Sequence, residues 1–534
     1  MTEERHPHAQ TLAEFFCRRL RLHADPDLVP LLSDLLQAQA AGHVCLLLSQ
    51  HHHSVLDRYA ALHQPKGQAP LVLEDGRLYF QRLWRYEQRL AAGVRHRLAL
   101  PPLPLDADKL ALLSAATSLD PSQMQAVAGA ARQRFAIITG GPGTGKTTTV
   151  LQLLALHLWQ QPRLQIALAA PTGKAAQRLT ETIRNRGDAL PLPTEAKAAL
   201  PDQVTTLHRL LGARPDTTRT RYHADHPLPY DWVVVDEASM VDLALMSKLV
   251  QALPPQGGLV LLGDRDQLAS VEAGSVLADL CDGAPAHTWC LRHTHRFQHR
   301  LAELAQAVNA GDFNQVERLL GEDWLPLEAE AGLWQAIEAG YRAYWQAVMA
   351  NAEADQVHAA FRRFQVLCAH RRGPLGAGWL NEELERRWRR RGWIRGGALY
   401  PGCPVMILEN VPELDLFNGD IGICLSDGRV WFEDGRHLPP ARLPAHQTVF
   451  AMTVHKSQGS EFDHVLLVLP TQPSPVLSRE LVYTAFTRAK VGVQCWTPRE
   501  VLRYAIARTI RRTGGLRQKL VHSGQSSADA VESG

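Results

Sequence analysis

Residues Gly140-Gly141-Pro142-Gly143-Thr144-Gly145-Lys146-Thr147 satisfy the pattern G-x-x-x-x-G-K-[ST]. An apolar run, Phe135-Ala-Ile-Ile, precedes them and a helical run from Thr148 to Trp159 follows. That order lays glycine-rich backbone N–H groups under phosphates at a helix N-terminus, with Lys146 reaching the β/γ-phosphates and Thr147 ligating Mg²⁺. Further on, Val233-Val-Val-Asp236-Glu237 sets two carboxylates at the end of an apolar strand. Asp236 suits a Mg²⁺ ligand and Glu237 a base for the attacking water; the alternative is an acidic pair capping the next helix. A third strand ends in Gly263-Asp-Arg-Asp-Gln267, at the carboxyl edge where α/β sheets bind ligands, which makes Gln267 a candidate γ-phosphate sensor. Gln123, in Leu119-Asp-Pro-Ser-Gln123, stands alone just before the P-loop strand and reads by itself as a surface residue. Arg488, in Thr484-Ala-Phe-Thr-Arg488, and Arg296, in His295-Arg-Phe, each fit either a cation on the transferring phosphoryl or a structural ion pair.

Such groups need a scaffold that brings them together. At about 100–200 residues per domain, a chain of 534 residues must hold several cores. With 45% hydrophobic and 21% charged residues, neither global disorder nor a fibrous repeat fits. Apolar runs alternate with helical segments: Phe135, Ile166, Val233 and Leu259 start one series, Val366, Val465 and Val491 another. Strands apolar on both faces and separated by helices indicate parallel sheets covered on both sides. The expectation is therefore two α/β domains, one over 106–290 and one split into 291–396 and 448–514. Residues 397–447 carry the turn signals Asn418-Gly, Asp427-Gly and Asp434-Gly between short strands and read as a small all-β insert. The proline-rich Leu100-Pro-Pro-Leu-Pro-Leu marks a boundary after a mixed N-terminal region, 1–105, that carries no chemical motif. The Ser/Gly/Ala-rich segment 515–534 reads as a disordered tail.

In order, these pieces resemble the superfamily-one helicases, joined by Ala170-Pro-Thr172-Gly-Lys, Thr206-Leu-His208-Arg and Thr453-Val-His455-Lys-Ser457-Gln458-Gly-Ser-Glu461. The wording of Asp236-Glu-Ala-Ser-Met, Gly263-Asp-Arg-Asp-Gln-Leu-Ala-Ser-Val-Glu-Ala-Gly274 and Met452-Thr-Val-His-Lys-Ser-Gln-Gly-Ser-Glu-Phe462 is similar to the RecD family, the alpha subunits of exodeoxyribonuclease V (the RecBCD complex). The resemblance implies two RecA-like P-loop NTPase domains, an SH3-like β insert over 397–447 and an N-terminal α/β partner-docking domain. It further implies ATP- and Mg²⁺-dependent 5′ to 3′ movement on single-stranded DNA at duplex ends. The chain would sit in a heterotrimer with RecB-like and RecC-like subunits, acting in double-strand-break repair by homologous recombination. It makes Gln123 the adenine reader and places Glu461 near the ribose. Arg488 and Arg296 become fingers, and Thr172, His208, His455, Ser457 and Gln458 face the strand. Nuclease activity would belong to a partner chain. The alternatives are a free-standing RecD-like helicase and a non-motor scaffold, the latter disfavoured by the intact Lys146, Asp236, Glu237 and Arg488.

Other features call for less. The eight cysteines include no C-x-x-C pair, no apolar run approaches the length of a membrane span, and the start lacks a signal-peptide layout, so the chain is expected in the cytoplasm. His51-His-His53 lacks partners at metal-ligand spacing. Residues 361–396 hold ten Arg against three Glu. Within them, Arg386 to Arg395 interleaves cations with Trp388 and Trp393, fitting either bases stacked on indoles or an exposed helix with its tryptophans turned inward.

Overall fold

The computed structural model describes the chain apart from residues 1–6, 20–25, 63–68, 118, 188, 215–216, 271, 294–298, 326–329 and 522–534. Its first sheet is parallel, in the order Val204–Thr206, Ile166–Ala170, Trp232–Val235, Gly258–Gly263, Phe135–Gly140, Thr288–Leu291. The four inner strands are buried along their whole length, and their side chains alternate between two cores. Ile137, Val233, Val235 and Leu261 enter one; Ala136, Ile138, Val234 and Leu262 enter the other. The second sheet is also parallel, in the order Trp324–Leu325, Ala489–Trp496, Phe462–Val468, Phe364–Cys368, Ala451–Thr453.

Between Phe364–Cys368 and Ala451–Thr453 along the chain lies an antiparallel sheet of Pro404–Ile407, Ile421–Cys424, Val430–Phe432, His437–Leu438 and His446–Thr448. Its hairpins reverse at Gly428 and Gly435, whose φ values of 74° and 83° are left-handed and favour glycine. Val405, Ile407 and Ile423 share one core with Val366 and Leu466 of the second sheet. The Arg/Trp-rich segment turns its tryptophans inward. Trp388, on the helix Ala377–Arg390, is fully buried among Tyr341, Trp345 and Phe450, with ring centroids 5.8, 5.2 and 4.6 Å away, while Arg387 lies over Trp334 at 4.0 Å.

At the N-terminal end, strands Cys45–Leu47, Arg77–Phe80 and Leu71–Glu74 form a small antiparallel sheet. Leu71 and Leu78 face the helices Pro7–Arg19 and Leu28–Ala40. Val72 and Tyr79, on the other face, join Leu90, Ala91 and Val94 of the helix Gln81–Leu98 in the core of the first parallel sheet. The boundary expected near residue 105 thus falls after a helix already built into that core. One expectation needs amending at the C-terminal end as well. Residues Leu516–Val521 form a helix rather than a disordered tail, because Leu516 and Leu520, four apart and so on one face, are buried in that same core. The rest of the tail, 522–534, lies outside the described residues. Buried Glu87 accepts the Gly515 N–H at 2.7 Å and ion-pairs with the Lys519 ammonium at 3.0 Å, and Lys519 also pairs with Glu74.

The helix Gln81–Leu98 lies against Leu243–Ala252, and a Cβ at Gly93 would collide with Val250 Cγ1. Gly93→Val should therefore push the helices apart and destabilise the protein by about 1–3 kcal/mol, the usual range for overpacking. Thermal unfolding reads this directly, and an unchanged midpoint would show that the contact bears no load.

Candidate functional site

The cleft forms where the carboxyl ends of the first sheet meet the second domain, and it encloses about 670 Å³. Pro142, Gly143, Gly145, Lys146 and Thr147 line it from the P-loop, Asp236 and Glu237 from the neighbouring strand end, Gln123 from a helix and Gln267 from a loop of the first domain, and Glu461 and Arg488 from the second domain. Gly143 and Gly145 adopt φ of 77° and 81°, which only glycine takes without strain, so the loop curls tightly into the helix Lys146–Gln160. Thr144 is buried and donates its hydroxyl to Gly141 O at 2.8 Å. Lys146 Nζ donates to Gly140 O at 2.6 Å and Gly141 O at 3.1 Å, holding the ammonium inside the loop's curve.

Asp236 and Glu237 follow the strand Trp232–Val235. Glu237 sits at φ 51°, a left-handed conformation unusual for a non-glycine residue and typical of positions where the fold holds a functional side chain under strain. Its N–H donates to Asp236 Oδ1 at 2.9 Å. Burial, and then the neighbouring Glu237 charge, push the Asp236 pKa up to about 6, against the pull of Lys146 and Arg178. A buried carboxylate that lines the same cleft as Thr147 supplies hard oxygen that suits a divalent cation. The donors present thus fit a Mg²⁺-bound nucleoside triphosphate.

Gln123 is 2% exposed. Its Oε1 accepts Asp120 N–H at 3.0 Å, closing a capping box on the helix Pro121–Ala130, and its Nε2 donates to Thr144 O at 3.0 Å. It braces the P-loop as well as lining the cleft. Gln267 Nε2 donates to Asp264 Oδ2 at 3.0 Å, and Tyr483 OH donates to the same oxygen at 3.0 Å from the second domain. Burial raises the Asp264 pKa. Next to it Leu268 N–H donates to Thr484 Oγ1 at 2.9 Å. Arg488, 3% exposed, donates to Thr484 O and Ser460 O, both at 3.3 Å, and its charge acts on Glu237 across the seam and on Glu461 of its own domain. Arg296 lies outside the described residues.

Three groups on this seam receive no role from the motifs, although Lys174 lies within Ala170-Pro-Thr-Gly-Lys. Lys174 Nζ donates to Ser460 Oγ at 2.8 Å, and burial pushes its pKa down to about 8. Arg178, one turn further along the helix Gly173–Gly187, ion-pairs with Glu461, which also has Lys490 Nζ at 3.7 Å. Tyr483 is the third. The i,i+4 spacing of Lys174 and Arg178 places both on one helix face and could have pointed to Arg178.

The residues expected to face a strand divide. Thr172 accepts Ala175 N–H at 3.3 Å at the start of its helix, His208 is exposed, and His455 is half-buried, its pKa lowered by burial and then by Arg512. Ser457 is not brought out with them: it is fully buried and donates its hydroxyl to Val454 O at 2.7 Å. Gln458 Nε2 reaches Leu268 O at 2.8 Å and joins the two domains.

If Arg178 and Glu461 act as a unit, Arg178→Gln and Glu461→Gln should each weaken binding of a nucleoside triphosphate, and the double variant should lose little more than the worse single one. The coupling expected of neighbours is about 0.5–3 kcal/mol. Additive losses in a titration with fluorescent nucleotide would separate the two roles.

Residues 123–273 match the family model described as AAA domain, and residues 448–493 that described as UvrD-like helicase C-terminal domain. The RecBCD enzyme subunit RecD of Mycolicibacterium smegmatis is 40% identical over 476 residues, covering 86% of this chain and 85% of that protein. The RecBCD enzyme subunit RecD of Haemophilus influenzae is 36% identical over 518 residues, covering 84% and 81%. The ATP-dependent RecD2 DNA helicase of Deinococcus radiodurans is 33% identical over 432 residues, covering 78% of this chain and 54% of that protein. Sharing more than a third of the aligned residues with two such subunits, over more than four fifths of either chain, this protein belongs to the RecD family.

Proposed function

We propose that this protein is an ATP-dependent DNA helicase subunit that moves 5′ to 3′ on single-stranded DNA, in a complex with RecB-like and RecC-like partners that processes double-strand breaks for homologous recombination. The observation that carries the reading is the meeting of Lys146, Asp236 and Glu237 of one domain with Arg488 of the other in one cleft. Hydrolysis in such a seam changes what holds the domains together, which is what a motor requires.

Mg²⁺ bound to ATP would neutralise phosphate charge and orient the terminal phosphoryl. Thr147 and Asp236 would hold that ion. Lys146 holds the β/γ-phosphates in the P-loop curve, and Glu237, fixed by its backbone, takes the proton of the attacking water. Arg488 lies in a buried pocket where its charge acts far more strongly on a developing phosphoryl charge than it would in water. Gln267 reports the state of the γ-phosphate to Asp264 and Tyr483, and Arg178 with Glu461 couples the nucleotide to domain closure. Thr172, His208 and His455 face the strand and contact phosphate and sugar, which carry no sequence information, as travel over any DNA demands.

Lys146→Gln and Glu237→Gln should abolish DNA-stimulated ATP turnover while the protein stays folded. Near wild-type turnover in a folded Lys146→Gln protein contradicts the assignment. Arg488→Ala should still bind nucleotide but turn it over about 10³–10⁵-fold more slowly, the range for arginine fingers. Lost binding with normal turnover of bound nucleotide would instead make Arg488 a ground-state contact. Affinity for single strands should be sequence-tolerant and fall steeply with salt; strong sequence dependence with a shallow salt slope counts against the DNA reading.

A further inference from the structure

The chain leaves the first domain after Leu291 and returns to it over residues 508–515, for Ile506 is buried in the core of the second domain and Leu516 in that of the first. On its way back it is anchored twice. The second domain holds it first. Arg508 donates to Leu477 O at 3.1 Å, Arg508 O accepts Arg479 N–H at 2.7 Å, and Ile510 N–H donates to both carboxylate oxygens of Glu480 at 3.1 Å. The first domain takes over at Arg512, whose Nη1 donates to Glu272 O at 2.7 Å and to Gly274 O at 2.9 Å. Thr513 N–H then donates to His43 Nδ1 at 2.9 Å, Val44 N–H to Thr513 O at 2.8 Å, and Gly515 N–H to Glu87 at 2.7 Å. Between the two sets of bonds lies Arg511 alone, and it is exposed. Two residues span at most about 7 Å, so at this point the domains cannot draw apart, although each can turn about it.

We propose that Arg512 is a positioning residue of the motor: it pins residues 272–274 to this strap and so fixes the pivot about which the two domains open and close. The inference rests on the ATP-driven reading above and names the point on which the movement turns. Residues 272–274 are the far end of the loop that carries Gln267. The near end is committed to the second domain, because Leu268 is buried in that domain's core, its N–H donates to Thr484 Oγ1 and its O accepts Gln458 Nε2. Gly274 N–H donates to Gly42 O at 2.9 Å, and a Cβ on Gly42 would lie 2.8 Å from Arg512 Nε, so the N-terminal region packs around the same junction. Burial, and then the Arg512 charge, lower the His455 pKa, so the guanidinium acts on a residue given above to DNA. Nucleotide and strand influence one another through the angle between the domains, and slack at the pivot lets either ligand adjust its own side alone. The strap carries no signal itself; it supplies the fixed point.

The test is the affinity of the full chain for a short oligo-dT, measured with and without a Mg²⁺-bound, non-hydrolysable ATP analogue. Coupled sites shift one another's affinity about 5–150-fold. Inserting two glycines after Arg511 keeps both sets of anchoring bonds and gives the strap slack. The ratio of the two affinities should then fall towards one, while each ligand alone binds as to the wild type. Arg512→Gln should lower the ratio in the same way. Arg512→Lys should restore it, since one ammonium can donate to both carbonyls that Nη1 serves. Arg511→Gln, next to the pivot and exposed, should leave the ratio unchanged and so controls for lost charge. If the insertion variant keeps the wild-type ratio, or Arg512→Gln keeps it where the insertion fails to fold, the inference falls and the motor reading stands. Loss of either ligand's own binding alongside the ratio makes Arg512 a structural brace and also overturns the inference. A wild type that binds both ligands with a ratio of one overturns the motor reading as well.

Discussion

Buried charge that neither domain can satisfy alone governs this structure. Asp236, Glu237 and Asp264 arrive at the seam on the first domain, Glu461 and Arg488 on the second. An ionised group taken out of water is costly unless a partner meets it. Here several partners come from across the seam: Arg178 meets Glu461, Tyr483 meets Asp264, Lys174 meets Ser460. The two parallel sheets, their helices and the P-loop's glycine turns all serve to aim these groups at one another. A change in charge at the cleft must therefore alter how the domains fit, without any further device to transmit it.

Much of this was legible in the sequence. Inner strands such as Phe135–Gly140 and Gly258–Gly263 are covered on both faces and announce themselves as unbroken apolar runs. Val204–Thr206, Thr288–Leu291, Trp324–Leu325 and Ala451–Thr453 do not, because each is a sheet edge, short and only partly covered. Two of those edges carry His208 and His455, so resemblance rather than periodicity led to them. The resemblance set Ser457 facing the strand, whereas the turn consumes its hydroxyl internally on Val454 O; a hydroxyl suits either position. The bracing role of Gln123 and the position of Arg178 depend on contacts made across long stretches of chain, which no local pattern encodes.

The tryptophans of the Arg-rich segment show how composition can be read two ways until packing decides. Trp388 fills the junction of the second sheet and the antiparallel insert, and the arginines beside it satisfy carboxylates and ring faces on the same helix or its neighbours. Among the described residues, Arg371 and Arg372 before the first turn of that helix and Arg390 at its end have no such partner. Charge density in the sequence is therefore a poor guide to charge available for a ligand; the guide is which cations lack a carboxylate.

The core that joins Leu90 and Val94 to Val233 also takes in Leu516 and Leu520. During synthesis the N-terminal helix emerges long before the segment that completes its burial, and several hundred residues must follow before Lys519 can neutralise Glu87. Contacts so distant along the chain close slowly and leave apolar surface open in the interval. The first domain therefore stays unfinished until residues 516–520 have been made, and in that interval its open core is most exposed to aggregation.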